Sequence, residues 1–577
     1  MSELSVFDRR FFGGESAVTR IGTGSLGGKA QGLVAIEQTI RQQFPPERTK
    51  GFTITIPRMT VIGTDFFDAF LAQNGLLEIA YSDAPDDRIG HAFQRGDLPP
   101  RLVGDLRAVT GEVRTPLAVR SSSMLEDALY QPFAGVYATK MIPNNQPDPD
   151  LRFRRLVEAV KFVWASTFFK EAKTYLKSVG KDPSVEKMAV IIQEVVGAPA
   201  TDRFYPTFAG VARSYNFYPC GYAKPEDGVV DLALGLGKTI VDGGRVWSYS
   251  PAYPKAPPPY GNVGDMLKNT QTTFWAVHMG SPPPHDPIRE TEYMIELGLD
   301  AADYDNTLRF VASTYDPGAD RLVPGVGSDG PRVVNFGPIL DYEEVPFNDL
   351  IRAVLKACED AVKAPVEVEF AVTLDRKRGL PARFGFLQVR PMVVSSEEID
   401  LPRERLAGDE VVVGSETVLG NGRRDDIQDI VYVIPESFEP RFTAMIAAEL
   451  ERMNAELADQ GRPYLLVGFG RWGSSDPWLG IPVTWSTISG SRVIVEATLP
   501  QMQPDMSQGS HFFHNLTSFK VSYFSVRHTG AHTIDWDWIG AQTEVSRARF
   551  VRHVRTETPL SIQVDGRTGR GVILRHG

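Results

Sequence analysis

Cysteine is scarce in this chain. Cys220 and Cys358 are the two in 577 residues, and no CxxC spacing occurs, which excludes a disulfide framework or a cysteine-built zinc site and fits a reducing compartment. Excess positive charge is missing too. Lys and Arg number 61 against 72 Asp and Glu, a net charge of -11 at pH 7, and a dedicated nucleic-acid binder needs the opposite balance. No stretch approaches the roughly 18 apolar residues of a membrane helix, and the opening MSELSVFDRRFFGGES lacks an apolar signal core. These absences predict a soluble, cytoplasmic protein with neither nucleic acid nor membrane as partner. What is present is the material of a packed globular protein, 42% hydrophobic and 10% aromatic. Its length suggests roughly two to four domains, and it shows no repeat of fixed period.

Strand-like and helix-like segments alternate from the start, which predicts an α/β or α+β fold. Residues 18–21 read as a short strand, followed by the turn GTGSLGG and a helix marked by Leu33, Ile36 and Ile40. PLAVR (116–120) and MAVIIQ (188–193) read as short buried strands. The proline-rich 250–290 stretch is predicted to be a surface excursion within the first module, because its proline runs cannot continue helices or central strands. A helix over 348–363 leads to VEVEFAVTLD and FGFLQVRPMVV, two strands that suit a hairpin. The predicted boundaries are a first module over 10–395, a polar linker over 396–409, and a second region over 410–577 with a helix near 440–458.

Three segments carry chemistry. Gly22-Thr-Gly-Ser-Leu-Gly-Gly-Lys29 contains a formal GxGxxG, but the acidic residue that a dinucleotide site needs about 20 residues on is missing. A lysine behind glycines at a helix start suits phosphate, and a tight turn with a solvated lysine is the plain alternative. At 232–239, LALGLGKT has Leu232 where a P-loop requires glycine, so it is not one. The second segment is Leu117-Ala-Val-Arg-Ser-Ser-Ser-Met-Leu-Glu-Asp127 with Phe133-Ala-Gly-Val-Tyr-Ala-Thr139. Arg120 at a strand end, followed by three serines, is a donor-rich edge for phosphate, although Ser before an acidic residue also caps a helix. The third joins Val366-Glu-Val-Glu-Phe370 to Leu387-Gln-Val-Arg-Pro391. Alternation puts Glu367 with Glu369, and Gln388 with Arg390, on shared faces. Together they suit a magnesium–nucleotide site, although in isolation an exposed face of cross-strand Glu–Arg pairs is the plainer reading.

In this order, GGK, VRSSSxxED with FAG and a threonine, MAVxxQ, and ExEF with QVRPM resemble the nucleotide-binding module of the phosphoenolpyruvate synthase and pyruvate phosphate dikinase family. A similar module occurs in rifampicin phosphotransferase and glucan water dikinase. The resemblance spans roughly residues 10–395. It implies a two-lobed ATP-grasp module holding ATP and Mg²⁺ in its cleft; the region beyond it reads, from its own strands and helix, as a smaller α+β C-terminal domain. It further implies that Lys29 and Arg120 hold the phosphates, and that Gly135 and Thr139 lie over the nucleotide while Gln193 faces the adenine side. Glu369 and Gln388 would carry Mg²⁺, and Arg390 would contact the transferred phosphate with Glu367 in support. The implied activity is phosphoryl or pyrophosphoryl transfer to an acceptor, a small molecule or a separate carrier protein, with a regulatory ATP-binding protein as the alternative. The chain departs from the family where GLGK, with Lys238, replaces GLGE, and in a longer hairpin between Glu369 and Gln388.

The second region lacks the TSHAA-type histidine of the family's phosphate carriers. Gly470–Val483 ends in LGIPV, like that motif, with Asp476 near the histidine position. It reads as a degenerate carrier, a Gly-rich anion loop using Arg471, or a turn packed by Trp472 and Trp478. His511 and His514, and His528 and His532, have helical spacing open to a metal or carrier role, but their aromatic surroundings suit buried, hydrogen-bonded histidines.

Overall fold

The computed structural model describes residues 4–9, 17–49, 51–124, 126, 136–178, 182–217, 219, 222–242, 244–256, 266–267, 270–374, 381–392, 399–474, 476–500, 502, 506–507, 516, 521–532, 534–566 and 568–575. They fall into two compact units, the first holding most of the chain up to Met392 and the second the chain beyond it. Helices and mixed sheets alternate throughout, an α/β and α+β architecture. Among the described residues no helix is long and apolar enough to cross a membrane.

The first unit is organised by two six-stranded sheets. The first runs Ser5–Val6, Val18–Ile21, Met59–Ile62, Met188–Glu194, Leu117–Ser123 and Thr139–Ile142. Its first three strands are parallel and its last three antiparallel to their neighbours. Strands Met188–Glu194 and Leu117–Ser123 are buried almost throughout, the first through its apolar run and the second with three serines buried among its residues. Helix Pro149–Ser166 covers this sheet. Its start is set by Asp148, whose carboxylate accepts the Asp150 amide, with proline in the first turn. Its Trp164 ring lies 4.9 Å from that of Phe70 on helix Thr64–Gln73.

The second sheet runs Trp247–Tyr249, Val229–Leu234, Phe208–Arg213, Val366–Thr373, Ala382–Pro391 and Phe52–Thr55. Glu367 pairs with Arg390 and Glu369 with Gln388, so all four side chains leave one face. Immediately beyond, Phe370 pairs with Phe386. Leu387 is therefore an extra residue, a bulge in the second strand. Helix Gly27–Gln43 packs against strands from both sheets, Leu117–Ser123 and Ala382–Pro391, and buries Ala30, Leu33, Ile36 and Ile40.

Two sequence expectations need correction here. The 250–290 stretch is more than a surface excursion, because Thr273–His278 is a strand between Met294–Gly298 and Arg203–Tyr205, with Phe274, Ala276 and Val277 buried. Between its two proline runs lies a segment apolar enough to enter a sheet. The 399–409 part of the supposed linker is likewise packed. Leu401 and Leu406, hidden among charged neighbours, are buried against Val572 and Leu574 of the second unit.

The second unit centres on a nine-stranded mixed sheet. Gly422–Val433, Tyr464–Phe469, Ser491–Ala497 and Ser522–Val526 are parallel neighbours, the first two joined through helix Thr443–Asp459. Beyond Gly422–Val433 the sheet continues antiparallel through Val551–Asp565 and Arg570–Leu574 to Val411–Ser415. At its other end Ser522–Val526 pairs with Val418–Leu419. The two terminal strands are thus separated in the chain by Glu416 and Thr417 alone.

Candidate active site

The glycine-rich turn is held from outside itself. Asp65 takes the amides of Thr23 and Gly24 at 3.1 and 2.9 Å, and the Thr64 hydroxyl takes that of Ser25 at 3.0 Å. These donors, which an anion would need, are occupied in forming the turn. The helix that follows has no cap of its own at Leu26. Ser122 supplies one, its hydroxyl accepting the Ala30 amide at 3.1 Å and donating to the Leu26 carbonyl at 2.7 Å.

Lys29 is therefore delivered by a helix fixed to the Arg120 strand. Its ammonium lies 2.8 Å from Glu126 and donates to the Ser121 hydroxyl at 3.2 Å. Ser123 and Glu126 make the hydrogen bonds of the capping reading, and any helix after them lies outside the described residues. The Ser123 hydroxyl accepts the Glu126 amide at 3.0 Å, and Glu126 accepts the Ser123 amide at 2.7 Å, a reciprocal capping box. Glu126 thus ties the cap to Lys29, a role that the S-x-x-E spacing alone did not disclose.

Arg120 is the hub. Its Nη1 donates to Gln193 Oε1 at 3.3 Å and to the Leu387 carbonyl at 3.1 Å; its Nη2 donates to Glu369 Oε2 at 3.2 Å and to Gln388 Oε1 at 2.9 Å. One guanidinium from the first sheet thereby joins four oxygens, three of them on the hairpin of the second. The bulge explains the carbonyl, since an extra residue re-aims the backbone at this point. Gln193, expected to face adenine, is buried at 2% exposure with its amide oxygen on Arg120. It shares Arg120's face of the first sheet, on the neighbouring strand.

Arg390 and Glu367 form a second, buried cluster on the same face. Arg390 Nε donates to Glu367 Oε1 at 2.8 Å, and its Nη2 bonds the same oxygen. Arg213 Nε donates to Glu367 Oε2 at 2.6 Å, and its Nη1 to Asp231 Oδ2 at 2.6 Å. Burial opposes the Arg213 charge, but Glu367 and Asp231 outweigh it and hold its pKa above the usual arginine value. Both readings of the hairpin are therefore present side by side, a cross-strand Glu–Arg pair and an oxygen pair at Glu369 and Gln388. Arg213 and Asp231 escaped the sequence reading, although GVAR at 210–213 repeats the pattern of LAVR at 117–120.

Thr139 pairs with Arg120 across the ladder, and its amide donates to Glu290 Oε1 at 3.2 Å. Gly135 lies outside the described residues. Nearby, Glu186 accepts the Met124 and Lys187 amides and the Tyr137 hydroxyl, the last at 2.9 Å. Burial pushes its carboxyl up to about 7 despite these donors. Lys238, the departure in GLGK, pairs with Asp242 at 2.9 Å and stands over the Trp275 ring.

In the second unit, Trp472 is fully buried and donates to the Val495 carbonyl at 3.1 Å, whereas Trp478 is 74% exposed. The packed-turn reading of Gly470–Val483 thus holds for one tryptophan and not the other. Asp476 accepts the Trp478 amide at 2.9 Å. His528 Nδ1 lies 3.1 Å from the Thr498 hydroxyl. His511 and His514 lie outside the described residues. Among the described residues no group of three or more His, Cys, Asp or Glu could hold a metal ion.

Residues 23–264 match the family model described as pyruvate phosphate dikinase, AMP/ATP-binding domain. This segment therefore resembles the nucleotide-binding domain of the phosphoenolpyruvate synthase and pyruvate phosphate dikinase family. It is similar to a rifampicin phosphotransferase of Streptomyces sviceus, 28% identical over 211 residues, 33% of this chain and 22% of that protein. It is also similar to a phosphoenolpyruvate synthase of Aeropyrum pernix, 26% identical over 242 residues, 38% of this chain and 26% of that protein. The chain thus spans about a quarter of the length of these curated relatives. The family match includes Lys29, Arg120, Thr139 and Gln193 and ends before the hairpin. Glu367, Glu369, Gln388 and Arg390 join the site through Arg120 and the strand register.

Proposed function

We propose that this chain binds ATP with Mg²⁺ between the two sheets of its first unit and transfers a phosphoryl or pyrophosphoryl group to an acceptor. The observation that carries this reading is the Arg120 hub, which gathers Gln193, Glu369 and Gln388 from separate sheets around one cation. Phosphoryl transfer asks the protein chiefly for positioning and charge neutralisation, and Lys29 and Arg120 offer both. Thr139, as Arg120's ladder partner, and Gly135 would flank the nucleotide.

The donor set suits magnesium. Glu369 and Gln388 present a carboxylate and an amide oxygen opposite each other, and Mg²⁺ commonly takes one or two protein oxygens, filling its octahedron with phosphates and water. When bound, the ion would neutralise charge on the transferring phosphates; Glu369 and Gln388 would hold it.

One observation favours a second reading, a regulatory ATP-binding protein. Arg390, proposed for the transferred phosphate, is 8% exposed and bonded to Glu367. Incubation of the full chain with β- and γ-labelled ATP separates the readings. Label transfer with release of AMP or ADP, abolished by Arg120→Ala and by Glu369→Ala, supports transfer to a small molecule or carrier protein. Tight binding with no turnover, with or without candidate acceptors, supports regulation. Full turnover in both variants overturns the site.

A further inference from the structure

The oxygens that suit a metal ion are already shared by a guanidinium. Arg120 Nη2 stands 3.2 Å from Glu369 Oε2 and 2.9 Å from Gln388 Oε1, bridging the two atoms that would ligate the cation. A divalent ion placed about 2.1 Å from both would meet that nitrogen, which has only hydrogens to offer. Nη1 anchors the guanidinium in this position through Gln193 and the bulge carbonyl of Leu387. On that side of the two oxygens the guanidinium and the ion compete for one space.

Charge balance leads to the same conclusion. On this sheet face Arg120, Arg213 and Arg390 are matched by Glu369, Glu367 and Asp231. Glu367 is engaged on both oxygens by Arg213 and Arg390, so Glu369 is the carboxylate left to share. One negative charge does not hold a guanidinium and a divalent cation at once. A phosphate chain changes the balance, because it supplies oxygens to the metal and a bidentate partner to the arginine.

Resting on the nucleotide reading above, we propose that Arg120 and the divalent cation compete for Glu369 and Gln388, so that the ion enters as nucleotide phosphates draw the guanidinium away. Arg120 then acts as an internal cation that keeps the site closed to free metal. The consequence is an order of binding: metal follows or accompanies nucleotide and does not precede it.

The test uses Mn²⁺ as a paramagnetic probe of the full chain, with bound ion read from loss of the free-ion resonance signal. The wild-type chain is expected to bind Mn²⁺ at least ~10-fold more weakly alone than with a non-hydrolysable ATP analogue, the factor that one charge-assisted hydrogen bond contributes. Arg120→Met should gain Mn²⁺ binding without nucleotide, and Arg120→Met with Glu369→Gln should lose it again. Arg120→Lys is the second variant, should the methionine fail to fold, because a single ammonium does not span both oxygens as the guanidinium does; it too should gain binding. Folding of each is checked by circular dichroism. Equal nucleotide-free affinity in wild type and a folded variant overturns the competition. Failure of the wild type to bind the analogue overturns the nucleotide reading, while the nucleotide-free comparison still judges the competition.

Discussion

Ser122 caps the helix that carries Lys29 although it lies on a different element, its hydroxyl bonded to both the Ala30 amide and the Leu26 carbonyl. The approach is close because Gly27 stands between them, at φ +72 with its missing Cβ aimed at the Ser122 carbonyl. Gly27→Ala is therefore expected to destabilise the protein by about 2–4 kcal/mol, combining a left-handed backbone with a clash. Gly111→Ala, in a helix with nothing within 4 Å of the new methyl, should instead stabilise by about 0.5–1 kcal/mol. Urea denaturation of both variants checks the pair.

Glu186 should give stability a slope with pH. Burial pushes its carboxyl up to about 7 in the folded chain, from about 4.5 for an ordinary glutamate. Between those values the folded state keeps a proton that the unfolded state has released, so stability falls as pH rises, by about 3 kcal/mol in all. Below the lower value this cost vanishes, and above the higher it is felt in full. Glu186→Gln is expected to flatten that part of the profile and to be more stable than wild type at pH 8, as read from denaturant midpoints at each pH.

Glu367→Ala should cost about 3–5 kcal/mol, because it removes the carboxylate that Arg390 and Arg213 share and leaves Arg213 with Asp231. The loss should be visible in thermal unfolding without any nucleotide, which separates it from an effect on binding.

Deletion of Leu387 isolates the contribution of the bulge. Without that residue Gln388 follows Phe386 directly, and Glu369 and Phe370 keep their present partners in a regular ladder. The fold should survive, while Arg120 loses its carbonyl partner. Because that carbonyl anchors the guanidinium over the metal oxygens, nucleotide-free Mn²⁺ affinity is expected to rise about 10-fold, the worth of one charge-assisted hydrogen bond, measured by calorimetry.

Much of this site was legible in the sequence, for identifiable reasons. Glu367, Glu369, Gln388 and Arg390 could be assigned to one face because alternation is a property of any strand, and their pairing needed only a hairpin. Helix Gly27–Gln43 announced itself by Leu33, Ile36 and Ile40. What escaped depends on distance in the chain. The partnership of Lys29 with Glu126, of Arg120 with the Leu387 carbonyl and of Arg213 with Glu367 arises when separate sheets or strands meet, and no local spacing encodes it. Strand Thr273–His278 was missed for the reverse reason: proline runs on both sides dominated the local signal.

The second unit's sheet begins at Val411–Ser415 and ends at Val418–Leu419, two strands joined by two residues. A sheet edge is a row of unpaired donors and acceptors that can recruit another chain. Here both margins are covered: Val413 bridges Ile534 and the Val412 carbonyl accepts the Asp535 amide at one, and the Val418 amide donates to the Gly569 carbonyl at the other. A cut or insertion at Glu416–Thr417 would loosen two covered borders in a single event, baring donors and acceptors that are now paired.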